Sequence, residues 1–400
     1  MQNQIIGLVT ATNNLDIITK NNLDSIHSFS KKFDKFYLFN FINLKLFYKN
    51  TKLIRSKQRL PKNFIIKTFK NKQEALHFFN KKKLISILHL GKSLEYFPIY
   101  SFLQKIKSKS ILVLNLGNYG NTASIDFSFK FFFKRFEHFY NKGFYYLFRI
   151  LTIFNVFPKV DFYFVSDLDI IKNLNKGFSK KFDEKFDFLK ISYFKKIIKV
   201  NSKAYDYIIK NKIQNIDNSY IIFIDTPIDH VDRTSREGNI SPKNKKTYYT
   251  KLNFFLFKLS KLLKKKIIIC PHPKMKNPMS VYPNFTISKK RTIEMIPRAK
   301  LVIFTLSSAI SLSIIFKKKI FCIQSKLLGD YFTKLSNKYI DALNLKKINI
   351  DDEFLLKKKD IEINSKSLKL YNKFVSNKLK VDGNVSSDKR IIDTIIKNYF

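Results

Sequence analysis

The fold of this chain is decided by residues 267–316, IIICPHPKMKNPMSVYPNFTISKKRTIEMIPRAKLVIFTLSSAISLSIIF. The stretch holds two short apolar runs, at residues 267–270 and 301–304, and each run stops abruptly at polar residues. Runs of this length that are rich in β-branched residues are typical of buried strands, and the residues after them favour the start of a helix. Strands that alternate with helices in this way predict a parallel α/β sheet.

The turns after these two strands carry groups suited to an anion. In a parallel α/β sheet such turns lie together at the carboxyl ends of the strands, where ligands bind. N–H groups at the start of a helix at Ser307 would favour a phosphate, and the side chains of His272 and Lys274 would donate hydrogen bonds to it. We therefore predict a phosphate-binding crevice formed by these residues of the two turns: His272, Pro273, Lys274, Thr305, Ser307 and Ser308.

The composition favours a two-domain protein with anionic partners. At 400 residues the chain exceeds one small core, and a hydrophobic content of 45% is enough for two domains. The formal net charge is +46, but only nine of the 76 basic residues are Arg, a lysine-rich bias that AT-rich coding also produces. Such charge favours phosphorylated substrates and anionic lipid. No specific nucleic-acid partner is predicted, because the sequence has no zinc-finger spacing, RNA-recognition signature or heptad repeat.

Cysteine usage and hydropathy predict a cytoplasmic protein. Cys270 and Cys322 both lie in apolar strand-like runs, which favours two buried thiols in a reducing compartment. Residues 1–15 have neither the basic start nor the apolar core of a signal peptide. The most apolar uncharged run, residues 301–316, is shorter than the ~20 residues of a membrane span. We expect a cytoplasmic location, and the basic aromatic segment and the family resemblance described below add the alternative of a peripheral place on the inner face of the cytoplasmic membrane.

Residues 1–200 predict a first α/β domain, because strand-like runs alternate with helical patterns there. Within this domain, residues 127–157 form a basic aromatic segment: fourteen of the 31 residues are aromatic, five are Lys or Arg, and Glu137 is the only acid. This composition favours a helix that lies on an anionic membrane surface. A helical hairpin packed within the domain is the alternative.

An acidic pair follows a predicted strand of the first domain. Asp167-Leu168-Asp169 matches a pattern in which two carboxylates hold a divalent ion on a diphosphate. Capping of the next helix by Ser166 or Asp167 is the alternative explanation.

We predict that residues 218–330 form a second α/β domain with five strands, because strand-like runs alternate with helical patterns there too. Its first strand runs into DTPIDHVDR, residues 225–233, which combines acidic residues with a His and an Arg. The planar fork of Arg suits phosphate, so this loop supplies further candidate phosphate contacts: Thr226, His230 and Arg233. Residues 351–400 predict two C-terminal helices that pack back on the first domain.

Two motifs in this order resemble a group of bacterial glycosyltransferases. Pro271-His272-Pro273 at a strand end and Thr305–Ala309 at a helix start are similar to motifs of GT-B-fold enzymes of surface-polysaccharide synthesis. These include sialyl- and polysialyltransferases, capsular keto-deoxy-octulosonate transferases and, more distantly, the polyol-phosphate transferases of teichoic acid. The resemblance covers about residues 220–324. It implies two Rossmann-like domains that face each other across a cleft, with the first on the acceptor side and the second binding the nucleotide donor.

The resemblance also implies a reaction. In that family the His and the Ser pair bind the phosphate of a cytidine nucleotide, a role that falls on His272, Ser307 and Ser308 here. The expected activity is inverting, metal-independent transfer of a sugar from a nucleotide donor to a surface-polysaccharide or lipid-linked glycan acceptor. The donor would be a CMP-activated sialic acid or another ulosonic acid, and no cofactor is expected. A carboxylate would deprotonate the acceptor hydroxyl, while cationic groups stabilise the leaving phosphate.

The family's acidic motif for the general base is absent from the first domain, which leaves three candidate bases: Asp167, Asp169 and Asp225. Two alternatives to the expected activity remain. One is a metal-dependent glycosyltransferase with Asp167 and Asp169 as ion ligands. The other is a non-enzymatic basic protein that coats nucleic acid or membrane, with steeply salt-dependent binding.

Overall fold

The structure is a computed structural model, and it describes residues 4–46, 52–90, 94–114, 151, 154, 156–157, 159–167, 194–214, 219–226, 228, 234, 238–272, 275, 277–307, 309–352, 363, 365–381, 383 and 385–400. The chain forms two compact units. The described residues before 203, together with residues 381–400, form the first unit, and those in residues 203–380 form the second.

The first unit contains a seven-stranded sheet. Its strands are β1 (Gln4–Thr10), β2 (Phe36–Asn40), β3 (Phe64–Thr68), β4 (Lys83–Leu88), β5 (Lys109–Leu114), β6 (Val160–Val165) and β7 (Phe194–Lys199). They pair in parallel in the order β3-β2-β1-β4-β5-β6-β7. The described helices between these strands are α1 (Leu15–Asn21), α2 (Leu23–Ser30), α3 (Lys72–Phe79) and α4 (Phe97–Lys105). Gly7 allows β1 to lie close to β2, because a Cβ there would be 2.7 Å from the carbonyl oxygen of Tyr37.

The second unit contains a six-stranded sheet in the order β10-β9-β8-β11-β12-β13. Its strands are β8 (Tyr220–Ile224), β9 (Ile267–Cys270), β10 (Thr286–Ile287), β11 (Ala299–Phe304), β12 (Lys319–Gln324) and β13 (Lys346–Asn349). All adjacent strands are parallel. The described helices are α5 (Lys203–Lys210), α6 (Pro242–Leu263), α7 (Pro278–Val281), α8 (Thr292–Met295), α9 (Ile310–Ile315), α10 (Asp330–Leu343) and α11 (Ser365–Phe374). The last helix of the chain, α12 (Ser387–Tyr399), belongs to the first unit.

Both sheets follow the strand order of a doubly wound nucleotide-binding fold, 3-2-1-4-5-6 in the numbering of each unit, and the first sheet adds a seventh strand. The prediction of two Rossmann-like α/β domains is therefore confirmed. In the second unit, β8 and β11 are buried almost along their whole length, because helices cover both faces of the sheet. Helix α6 packs on one face of the second sheet, and helices α9, α10 and α11 pack on the other.

Two expectations about the C-terminal part need correction. The second sheet has a sixth strand, β13, which pairs with β12. This pairing buries Ile348, although the two residues before it are Lys346 and Lys347. The C-terminal helices divide between the units. α12 buries Ile391, Ile392 and Ile395 in the core of the first unit, whereas α11 buries Tyr371 and Phe374 in the core of the second.

The basic aromatic segment at residues 127–157 lies outside the described residues, apart from a few positions at its end. Of those, Phe157 is buried in the core of the first unit and Phe154 is exposed. Within the described part of the chain, no helix combines the length and the apolar character that a bilayer crossing needs.

Candidate functional site

The strand order of the second sheet places three polar turns side by side. The order reverses at β8, which pairs with β9 on one side and with β11 on the other. Ile224 at the end of β8 is in register with Cys270 of β9 and with Phe304 of β11. The turns that follow these three positions therefore begin at the same level of the carboxyl edge. Ligands of open α/β sheets bind at such a reversal point.

Hydrogen bonds hold these turns together. The hydroxyl of Thr226 donates to the carbonyl oxygen of Leu306 in the turn after β11. The backbone N–H of Asp225 donates to the carbonyl oxygen of Cys270 at 3.1 Å, which ties the β8 turn to β9. The end of β8 is thus bonded to the end of β9 and to the turn after β11.

Ser307 organises the turn that follows β11. Its side-chain oxygen accepts a hydrogen bond from the N–H of Ala309 at 3.2 Å, and its carbonyl oxygen accepts one from the N–H of Ile310 at 3.3 Å. The helix that follows, α9, begins only at Ile310 and has six residues. Two N–H groups expected to face a phosphate are therefore bonded within the turn. The hydroxyl of Ser307 can also donate its proton to an anion, because in the bond with Ala309 the hydroxyl oxygen is the acceptor.

His272 lies in the turn after β9 and is half-buried. Its carbonyl oxygen accepts a hydrogen bond from the N–H of Met275 at 2.8 Å. Five other predicted contact residues lie outside the described residues: His230, Arg233, Pro273, Lys274 and Ser308.

Asp225 lies beneath the turns, in the interior of the second unit. Its side chain is 2% exposed, and it interacts with the buried hydroxyl groups of Tyr248 and Tyr282. Burial, with a further contribution from the Asp225 carboxylate, raises the pKa of Tyr282 well above its ordinary value. Tyr249 lies between the other two rings, with ring centroids 5.2 Å from Tyr248 and 5.8 Å from Tyr282. Asp225 is therefore a buried carboxylate among neutral phenols.

Thr305 is buried as well, at 2% exposed, and its carbonyl oxygen lies 3.6 Å from the thiol sulfur of Cys322 on β12. This contact fixes the end of β11 against the next strand. Of the described candidates in the second unit, Thr226, His272 and Ser307 are the partly exposed ones that lie at the edge.

Asp167 belongs to the first unit, two residues after the end of β6, and is 1% exposed. Asp169 lies outside the described residues. Within the ranges that the structure describes, no group of three or more His, Cys, Asp or Glu side chains is arranged to hold a metal ion.

The first unit has a reversal point of its own, between β1 and β4, which the motifs did not reveal. The turn after β1 is held by the buried side chain of Asn40, whose oxygen accepts from the N–H of Thr12 at 3.1 Å and whose amide donates to the carbonyl oxygen of Thr12 at 2.9 Å. His89 follows β4, and its N–H donates to the carbonyl oxygen of Val9 at 2.8 Å. A His directly after an apolar strand is the only sequence signal that pointed to this edge.

Comparison with known proteins gives matches of structure alone: no protein family model matches the sequence and no curated protein matches it significantly. The structure of the wall teichoic acid polymerase TagF matches with a TM-score of 0.46 and 14% identity, over 98% of this chain and 89% of that one. The UDP-GlcNAc 2-epimerase of Neisseria meningitidis bound to UDP-GlcNAc has a TM-score of 0.46 and 11% identity, over 99% and 100% of the two chains. The UDP-GlcNAc 2-epimerase of Methanocaldococcus jannaschii with UDP-GlcNAc and UDP has a TM-score of 0.44 and 10% identity, over 99% and 100%. The activity proposed below rests on the chain's own residues.

Proposed function

We propose that this chain is a glycosyltransferase that binds a nucleotide-sugar donor at the carboxyl edge of the second sheet. The observation that supports this most is the hydrogen bond from Thr226 to Leu306 at the point where the strand order reverses. It holds the turn after β8 against the turn after β11, while the Asp225–Cys270 bond holds it against the turn of His272. A doubly wound sheet with polar turns at its reversal point is the usual setting for a nucleotide.

The donor phosphate is bound by side chains more than by a helix terminus. The hydroxyl of Ser307 and the imidazole of His272 are the two described donors at the edge. Lys274 and Ser308 are proposed from the sequence to complete the set. Hydrogen bonds from cationic or polar groups to phosphate are the strong ones, and they stabilise the negative charge that develops on the leaving nucleotide.

The reaction proposed is direct displacement at the anomeric carbon. A base removes the proton from the acceptor hydroxyl, the acceptor oxygen forms the new glycosidic bond, and the bond from the sugar to the nucleotide phosphate breaks with its electrons on the phosphate. The donor is a CMP-activated sugar of the ulosonic acid type, and the acceptor is a surface-polysaccharide or lipid-linked glycan. The reaction inverts the anomeric centre and needs no metal.

The base is proposed to belong to the first unit, as either Asp167 or His89. His89 directly follows β4 and Asp167 lies two residues after the end of β6, both at the carboxyl edge of that sheet, and Asp169 remains a candidate from the sequence. Asp225 fits the role of base less well, because it lies in the second unit beneath the turns that are proposed to hold the donor phosphate. We propose instead that Asp225 positions the β8 turn through Tyr248 and Tyr282.

A thermal-shift panel tests the proposal, with CMP, CDP, UDP, GDP and a DNA oligomer, each with and without chelator. A ligand that binds only the folded state raises Tm by mass action. We expect a chelator-resistant rise with a cytidine nucleotide. A rise with UDP or GDP that needs a divalent ion would instead favour Asp167 and Asp169 as metal ligands. A response to DNA alone would contradict a nucleotide-sugar site.

A further inference from the structure

Helix α6 of the second unit presents an apolar face that the core does not use. Nine large apolar side chains are exposed among the residues that the structure describes, and four of them lie on α6 or on the adjoining α7. They are Phe254 at 55%, Phe257 at 47%, Leu262 at 37% and Met279 at 73% exposure. Asn253 joins the two helices, since its side-chain amide donates to the carbonyl oxygen of Val281 at 2.8 Å. The concentration of these side chains on one pair of helices marks a surface.

The geometry of α6 separates this surface from the core. At about 100° per residue, Phe254, Phe257, Lys258, Lys261 and Leu262 fall within an arc of about 140°. The core-facing side chains occupy a separate, adjoining arc whose centre lies about 140° away: Tyr248, Leu252, Phe255, Leu256 and Leu259. α6 therefore buries one face against the sheet and leaves a second apolar face outside, which we name the α6 outer face.

Lysines accompany the exposed rings on the α6 outer face. The ammonium nitrogen of Lys258 lies 4.4 Å from the ring centroid of Phe254, and that of Lys261 lies 4.5 Å from the ring centroid of Phe257. Both pairs have the i, i+4 spacing that places side chains above one another on a helix. Each pair holds a positive charge beside an aromatic ring, at the position where a lipid phosphate would meet it.

Basic residues dominate the charge of the segment that carries the α6 outer face. Residues 238–293 contain fourteen Lys and Arg and no Asp or Glu. Lys251 forms an ion pair with Asp351, an acid from the turn after β13, with 2.9 Å between nitrogen and oxygen. Lys258, Lys261, Lys264 and Lys266 are exposed. Such a field attracts an anionic partner.

We propose that the α6 outer face docks on a bilayer that contains anionic lipid. Phe254, Phe257, Leu262 and Met279 enter the boundary between headgroups and acyl chains, and the lysines contact lipid phosphates. The combination of bulky apolar side chains with a lysine-only charge fits a helix that lies in the plane of the interface. Nucleic acid would use the charge and the rings but not Leu262 or Met279. This inference does not depend on the basic aromatic segment at residues 127–157, nor on the proposed transferase activity.

The test is sedimentation of the full chain with vesicles of phosphatidylcholine alone and of phosphatidylcholine with roughly 30% phosphatidylglycerol, at about 0.15 M salt. We expect binding to the anionic vesicles only. Two double variants divide the contributions: Phe254→Ser with Phe257→Ser, and Lys258→Gln with Lys261→Gln. The lysine pair should weaken the apparent affinity about thirtyfold, which corresponds to roughly 1 kcal/mol for each lysine near the surface. The phenylalanine pair should weaken it by about tenfold or more.

The matched control is Lys366→Gln with Lys369→Gln. These lysines are exposed on α11 of the same unit and have the same three-residue spacing as Lys258 and Lys261. Circular dichroism and the melting temperature without ligand verify that every variant remains folded. Equal loss in the control and in the α6 lysine pair would mean that general charge drives binding, and would overturn the proposal. The proposal would also be overturned if the phenylalanine double variant sedimented as the wild type does, or if the wild type preferred an oligonucleotide to vesicles. A dimer of the wild type that forms without lipid and is lost in the phenylalanine double variant would overturn it as well.

Discussion

The side chain of Thr226 is bonded to the backbone of Leu306, 80 residues later in the sequence. This one contact spans the reversal point of the second sheet and fixes two turns that no local signal links. Its loss should therefore loosen the candidate donor site before it affects the rest of the unit.

Replacement of Thr226 by Val keeps the shape of the side chain and removes the hydroxyl donor. We expect the free energy of unfolding to fall by about 1 kcal/mol, the usual net value of one hydrogen bond, and nucleotide affinity to fall with it. Urea unfolding and nucleotide thermal shifts measure the two effects. Thr226→Ser should restore both. Thr247→Val is the control, since its hydroxyl bonds to Lys243 on the exposed surface of α6. If Thr226→Val bound nucleotide as tightly as the wild type, the turn would not shape the site.

Replacement of His272 by Ala should weaken nucleotide binding by about 1.5–3 kcal/mol, the range for a hydrogen bond to a charged group. Isothermal titration with the nucleotide that raises Tm most measures this change. His77→Ala is the matched control, because His77 is exposed on α3 of the first unit. Unchanged affinity in His272→Ala would remove this residue from the site.

The proposed base should act on turnover and not on donor binding. We expect either His89→Ala or Asp167→Asn to lower kcat by about 10²–10⁴-fold, the usual contribution of general base catalysis, while nucleotide affinity is kept. Asp225→Asn should instead lower Tm and nucleotide affinity together, because a positioning group acts through the turn. Release of nucleotide from the donor measures turnover. A loss of turnover with normal stability and binding in Asp225→Asn would identify Asp225 as the base.

The two thiols predict a loss of stability in alkali. Burial raises the pKa of Cys270 from its ordinary value of 9.0 to about 12, and burial likewise raises the pKa of Cys322 from 9.0 to about 12. Above pH 9 the unfolded chain therefore releases protons that the folded chain retains, and the free energy of unfolding falls as pH rises. The slope from two such groups approaches about 2.7 kcal/mol per pH unit once both unfolded-state thiols are ionised, and averages about half of that between pH ~8 and ~10. Buried tyrosines such as Tyr282, with a raised pKa, add to the loss above pH ~10.

Urea unfolding between pH 8 and about pH 10 measures this slope. The double variant Cys270→Ala with Cys322→Ala should show a smaller slope, whatever its absolute stability. In the folded wild type, both thiols should also resist a thiol reagent at pH ~8. Rapid labelling without unfolding would contradict the burial of these side chains.

The last helix should stabilise the first unit although it lies at the other end of the chain. Ile395 is fully buried against that unit's core, and the hydroxyl of Ser25 donates to Asp388 at 2.8 Å at the start of α12. Ile395→Ala should lower the free energy of unfolding by about 2–4 kcal/mol. Lys397→Ala, which is exposed on the same helix, should stay within about 0.5 kcal/mol. Hydrogen exchange can verify that the loss is centred on the first sheet, and a loss confined to the second would contradict this packing.

The sequence by itself determined the class of fold. The apolar runs of β8, β9, β11 and β12 are long enough and β-branched enough to specify buried strands, because strand propensity and burial on both faces act over a few neighbouring residues. Alternation with helical patterns then implied parallel sheets. The polar turns after residues 270 and 304 were visible for the same local reason. The sequence did not predict β13, because two of its four residues are Lys. Only the position of β13 beside β12 makes Ile348 a core residue.

Tertiary structure decided which of these local pieces meet. The order β10-β9-β8-β11 puts Thr226 beside Leu306 and brings the turn of His272 to the same edge. It also buries Asp225 among Tyr248 and Tyr282, and it assigns α12 to the first unit. The sequence shows no local pattern from which any of these contacts could be predicted. Strand pairing and helix docking are settled by how much apolar surface the whole chain removes from water, and that free energy depends on residues far apart in sequence.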